Sequence, residues 1–178
     1  LNSKSRLFAI ANIIAGKSAV HIVLGPKMKS DLARLYGIDQ DRIRVISNLA
    51  FFDLQLNQAE INSSIRLGHL ANLCIDKGID TFIEVCKVLE KNNVNVGAEI
   101  AGPYADDYSK KLVTNAVKEY KQIGYLGPLY KNDKDEFYAN LDCFIFPSKY
   151  KNEAEPLVLF EAANTGALIV GSQRGCMQ

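Results

Sequence analysis

The chain has 178 residues, is 48% hydrophobic and 23% charged, and balances 21 Lys and Arg against 20 Asp and Glu for a net charge of +1. A chain of that size buries about 70% of its unfolded surface, so one or two domains with a true core are expected; the composition excludes a disordered chain, and the near-neutral charge excludes a nucleic-acid binder built on a basic face. Four scattered cysteines, Cys74, Cys86, Cys143 and Cys176, form neither a disulfide framework nor a paired zinc spacing, so reduced thiols and a cytoplasmic location are expected.

In chain order, Lys4 and Arg6 precede an apolar run over 7–15, an arrangement shaped like a secretory leader. Asn12 interrupts the run and Lys17 closes it, so the segment reads as an interior amphipathic helix. No run reaches the eighteen or more apolar residues of a membrane span. Residues 19–24 read as a strand, 27–36 as a helix stopped by Gly37, and 42–46 as a second strand ending at Ser47-Asn48. The stretch 49–63 has no clean period and several Asn and Gln; it reads as a linker between an end of one domain (1–48) and a second domain (64–178). Strands are then expected at 65–70, 94–101, 123–126, 143–146 and 167–170. Helices are expected at 77–91, 106–120, 133–139 and 157–164. Ile79, Phe82, Ile83, Cys86 and Leu89 lie on one helical face by their spacing. Short apolar strands alternating with helices predict a doubly wound α/β domain with a parallel sheet covered on both faces.

In such a sheet, ligands bind at the carboxyl ends of the strands, where strand order reverses. The loops beyond 70, 101, 126 and 146 are therefore the candidates. Neither G-x-G-x-x-G nor G-x-x-x-x-G-K-[ST] occurs, which sets aside dehydrogenase and P-loop readings. The last loop carries Glu153 and, eight positions on, Glu161, with Pro156 at the expected helix start. The amides of Leu157 and Val158 would then lie at the positive end of a helix dipole and suit an anion. Carboxylates beside such amides fit a sugar nucleotide, hydroxyls on acids and phosphates on amides. The alternative is that these acids merely stabilise the helix start. His69 reads as a core histidine, with a catalytic base role as the alternative. Tyr104 and Tyr130 are loop aromatics able to flank a base. Asp133-Lys134-Asp135 imitates a D-x-D metal motif but opens a helix, so capping is expected there.

From Gly124 to Cys176 the sequence resembles the C-terminal domain of group 1 glycosyltransferases of the GT-B fold. The resemblance rests on Glu153, Glu161, Ala162 and Gly166 in a Glu-x7-Glu motif, with Asp142, Phe146-Pro147-Ser148 and Gly175 in register. Leu73 to Gly78 matches the family's loop ending in Lys-Gly, and Ile22 to Asn48 resembles the end of its N-terminal domain. The resemblance implies a Rossmann-like half of a GT-B fold, incomplete at both ends, and hence a fragment without turnover of its own. It implies retaining, metal-independent transfer of a sugar from a nucleotide-diphosphate donor to a saccharide or lipid-linked hydroxyl acceptor, in polysaccharide or glycolipid synthesis. Peripheral membrane association would come through the N-terminal domain, and no resident cofactor is implied. Glu161 would bind the ribose, Glu153 the transferred sugar, and Lys77 with Leu157 and Val158 the diphosphate. Gly102 and Tyr130 would lie near base and ribose. Asn72 stands where the family carries an Arg, so one phosphate-binding cation is missing at the donor subsite. An epimerase on the same fold and a non-catalytic nucleotide-sugar-binding domain are the alternatives; Asn72 favours the second.

Overall fold

The computed structural model describes residues 3–52 and 64–177. The chain divides into two compact units, Leu1–Phe51 and Phe52–Gln178.

The first unit contains α1 (Ser3–Ala15), β1 (His21–Val23), α2 (Pro26–Tyr36) and β2 (Ile43–Val45). β1 and β2 pair in parallel, His21 opposite Ile43. Pro26 begins α2, and Gly37 ends it at φ 65, a left-handed cap that any Cβ would strain. Val23, Ile38 and Ile43 form a small core, against which Phe8, Leu32 and Tyr36 pack. The amphipathic expectation for the first helix fails in one respect: Leu7, Ile10, Ile13 and Ile14 are exposed, and Phe8 is the side chain that packs inward. The linker expectation falls, from residue 53 on, outside the described residues; Asn48–Phe51 form a 3-10 turn.

The second unit is an α/β domain. Its five strands are β3 (Ile65–Leu70), β4 (Val96–Ala101), β5 (Ile123–Gly127), β6 (Cys143–Phe146) and β7 (Leu168–Gly171). All pair in parallel, in the order β5-β4-β3-β6-β7. Four helices connect them: α3 (Ile79–Lys91), α4 (Asp107–Glu119), α5 (Asn132–Ala139) and α6 (Leu157–Asn164). Successive strand residues point to opposite faces, and β6 shows the result. Cys143 and Ile145 join the core shared with α3 and α4, whereas Phe144 and Phe146 join the core shared with α5 and α6. Covered on both sides, β6 is buried throughout. The expectation of full burial fails at one edge: Leu168 on β7 is 65% exposed and joins neither core cluster.

Two helix boundaries differ from expectation for identifiable reasons. Asp106 lies outside α4 as its N-cap, its carboxylate accepting from the Ser109 amide at 2.6 Å. Lys77 lies outside α3, in a 3-10 turn (Ile75–Lys77) that Gly78 closes at φ 84. A Cβ at Gly78 would also overlap the Pro147 carbonyl, so the glycine lets the loop after β3 lie against the loop after β6.

Candidate functional site

Between β3 and β6 the order of the sheet reverses. The chain builds outward through β4 and β5 on one side and through β7 on the other, leaving a crevice at the carboxyl ends of the two central strands. The loops beyond β3 and β6 meet there. Lys149 N–H donates to the Asp76 carbonyl at 2.7 Å, and Lys149 Nζ pairs with Asp80 at 2.7 Å.

This meeting joins two of the residues picked out from sequence. Lys77 Nζ donates to Glu153 Oε2 at 2.7 Å, with side-chain exposures of 24% and 9%. The ammonium also faces the Tyr150 ring at 4.9 Å and the Phe146 ring at 5.8 Å. Ser148, fully buried, donates to the same Glu153 oxygen at 2.8 Å. Two donors on Oε2 fix the carboxylate. The sequence marks Ser148 only through the family resemblance and does not single out Tyr150; their position just beyond a central strand is the signal that points to both.

The loop carrying Glu153 is braced from behind. Cys176 N–H donates to the Ala154 carbonyl at 2.6 Å, and Ser172 Oγ donates to the Ser148 carbonyl. Gly175, at φ 53, passes so close that a Cβ would overlap the carbonyls of Glu153 and Ala154.

α6 begins immediately after this loop. Pro156 is its N-cap rather than its first residue, and no side chain caps the helix start. Leu157 and Val158 thus form the first turn, their amides among those an α-helix leaves without partners inside the helix. One turn further, Glu161 faces α5, not the Lys77 loop. Lys134 Nζ reaches Glu161 Oε1 at 2.7 Å and Oε2 at 2.6 Å, and the Tyr138 hydroxyl donates to Oε2 at 2.8 Å. The capping expectation for Asp133 and Asp135 is corrected accordingly. Lys131 is the N-cap of α5, both acids lie inside its first turn, and Lys134 between them is the residue that reaches the site.

The remaining expectations sort by packing. Gly102, at φ 117, closes against the Ala71 backbone, and its N–H donates to the Gly127 carbonyl at 2.8 Å. It therefore stitches together the loops beyond β3, β4 and β5. Tyr130 is 70% exposed, and Asn72 is exposed on the Lys77 loop. Tyr104 is not an open aromatic: it stacks on Tyr125 at 4.7 Å and packs on the core. Asp142 lies at the opposite end of the sheet, where its carboxylate accepts from the Arg66 amide at 2.7 Å. His69 is fully buried between Phe82 and Phe146, and its Nδ1–H donates to the Ile145 carbonyl at 2.9 Å. Its Nε2 has no partner, so it is half satisfied rather than satisfied, and burial lowers its pKa to about 4. Burial likewise raises the Cys86 thiol to about 12, and Cys74, Cys86 and Cys143 are free thiols. Among the described residues no group of three or more His, Cys, Asp and Glu is placed to hold a metal ion, and no helix is long and apolar enough to cross a membrane.

A family profile described as "Glycosyl transferases group 1" matches residues 55–178. No curated protein matches the chain in sequence. Among solved structures, a point mutant of S. aureus TarM, in complex with fondaparinux, alpha-GlcNAc-glycerol and UDP, superposes with a TM-score of 0.74 at 22% identity. That match covers 97% of this chain and 33% of TarM. Anabaena HepE in complex with UDP-glucose gives 0.67 at 17% identity, covering 88% of this chain and 45% of HepE. The pneumococcal O-GlcNAc transferase GtfA, in complex with UDP and GlcNAc, gives 0.66 at 18% identity, covering 86% and 30%. At these identities the likeness is one of fold, and the chain spans about a third to a half of the length of these structures.

Proposed function

The chain belongs to the group 1 glycosyltransferase family, and from that premise we propose that its second unit holds a nucleotide-diphosphate sugar at the carboxyl ends of β3 and β6. The observation that carries this reading is the Lys77–Glu153 pair, held at 2.7 Å at the point where strand order reverses and directly before an uncapped helix start. A diphosphate brings more negative charge than one carboxylate. It would draw Lys77 from Glu153, lodge against the first amides of α6, and leave Glu153 facing the sugar. Glu161 would take the ribose hydroxyls.

The reaction in this proposal is sugar transfer with retained configuration. The bond between the anomeric carbon and the diphosphate oxygen breaks, a bond to the acceptor oxygen forms, and the acceptor's hydroxyl proton leaves with the diphosphate. Lys77 and the α6 amides would stabilise the departing charge, and Glu153 the positive charge that develops at the anomeric carbon. The acceptor is a saccharide or lipid-linked hydroxyl, in polysaccharide or glycolipid synthesis at the cytoplasmic side. TarM, HepE and GtfA carry UDP or UDP-glucose in their solved complexes, which makes uridine the first base to try. Asn72 supports a second reading, a domain that binds sugar nucleotides without turning them over, since its neutral amide contributes no charge to a diphosphate.

Thermal titration with UDP, GDP and ADP tests the donor site. A nucleotide at a hundred times its dissociation constant adds about 2.7 kcal/mol of stability. One nucleotide is expected to stabilise the chain, and Lys77→Ala and Glu161→Ala to abolish the effect. No response from the folded chain to any of the three would overturn the reading.

A further inference from the structure

Glu161 is held more firmly than a helix-face carboxylate needs to be. A carboxylate offers about four acceptor positions on its two oxygens. The Lys134 ammonium bridges both oxygens, at 2.7 and 2.6 Å, and the Tyr138 hydroxyl takes a further position on Oε2 at 2.8 Å. Both donors come from one helix, α5, four residues apart and hence on one face. They are themselves fixed. The Tyr138 ring is buried, edge-on to Phe137 and Phe144, and Lys134 lies 5.9 Å from the centre of that ring. Burial first, and then the Glu161 charge, raises the phenol's pKa, so the hydroxyl stays a donor. A buried tyrosine hydroxyl needs an acceptor, and a backbone carbonyl would serve. Here the acceptor is the second glutamate of the Glu-x7-Glu pair.

Resting on the donor reading above, we infer that Lys134 and Tyr138 are positioning residues that clamp the Glu161 carboxylate and direct Oε1, the oxygen with spare acceptor capacity, at a ribose hydroxyl of the nucleotide. Neither residue touches the donor. They act through Glu161 by removing its rotamer freedom before the ribose arrives, and so they control discrimination between ribose and sugars lacking its hydroxyls.

The test compares UDP, GDP and ADP with their 2′,3′-dideoxy counterparts by calorimetric titration of the full chain and its variants. The wild type is expected to prefer the ribonucleotide, and Glu161→Gln to abolish most of that preference. Tyr138→Phe, which keeps the packed ring, and Lys134→Met should each cut ribonucleotide affinity about tenfold, the scale of one hydrogen bond to a charged group, while dideoxynucleotide affinity stays constant. Lys134→Arg, which keeps a bridging cation, should restore the preference. If Glu161→Gln abolishes the preference but Tyr138→Phe and Lys134→Met keep it, whatever they do to the melting temperature, the clamp is wrong and the donor reading stands. If no nucleotide binds, or Glu161→Gln leaves the preference intact, the donor reading falls and the clamp falls with it.

Discussion

Gly175 and Gly127 both adopt left-handed backbone, at φ 53 and 79, yet they differ in what surrounds them. A Cβ on Gly127 meets nothing within 4 Å, whereas one on Gly175 overlaps the carbonyls of Glu153 and Ala154. Gly127→Ala therefore costs only the left-handed strain, about 1 kcal/mol. Gly175→Ala adds displacement of the Glu153 loop and should cost about 2–3 kcal/mol in a denaturant titration. Equal losses in the two variants would mean that the 172–176 segment does not brace the loop. His69 sets a pH dependence of definite sign. Its folded pKa, about 4, lies below the ordinary 6.5, so between those values the unfolded chain binds the extra proton. Its contribution is therefore complete above pH 6.5 and is lost as the pH falls toward 4, a total of about 3 kcal/mol. His69→Leu should flatten stability across that window, measured by denaturant melts at several pH values.

The break between the 3-10 turn at Ile75–Lys77 and α3 shows how an element boundary creates a site. Had the helix run on from Lys77, its regular backbone would direct the ammonium by helical period; Gly78 at φ 84 ends the turn instead, and Lys77 reaches across to Glu153. The start of α6 depends on an omission, because Pro156 supplies no capping side chain and leaves the first-turn amides for an anion. Pro156→Asp should place a carboxylate on those amides. Chain stability would then change by less than about 1 kcal/mol, since a gained cap offsets the lost proline rigidity. Affinity for the stabilising nucleotide diphosphate should fall about tenfold in calorimetry, because the new carboxylate competes for the same donors and repels phosphate. Unchanged affinity would remove α6 from the proposed diphosphate cradle.

Across the second unit, the order β5-β4-β3-β6-β7 brings two loops more than seventy positions apart in sequence (|i−j| of 76 for Lys77 and Glu153) to one crevice. A ligand there touches chain from both halves of the sheet at once. Hydrogen–deuterium exchange with and without the stabilising nucleotide should therefore show protection gained together at 72–78 and 148–158. Protection gained along the opposite end of the sheet, near Arg66 and Asp142, would place the ligand elsewhere.

The strands and helices of the second unit are legible in the sequence because each buries its own apolar residues at its own period: alternation puts Phe144 and Phe146 on one face of β6, and the 3.6-residue repeat puts Ile79, Phe82, Ile83 and Cys86 on one face of α3. The doubly wound class follows from their alternation along the chain; Glu153 stands out as a charge in a loop that such a sheet turns toward ligands and Glu161 in the helix that follows, whereas the family resemblance is what marks Lys77. Partners are another matter, since they are set by strand order and helix placement rather than by local pattern. Only the packed structure pairs Lys77 with Glu153, buries Ser148 beneath the same carboxylate, turns Glu161 toward Lys134 and Tyr138 on α5, and draws Tyr104 into a stack with Tyr125. A hydrogen bond is specified by angstroms in space, and a sequence separation of 76 or 27 positions carries no trace of it until the sheet has closed the distance.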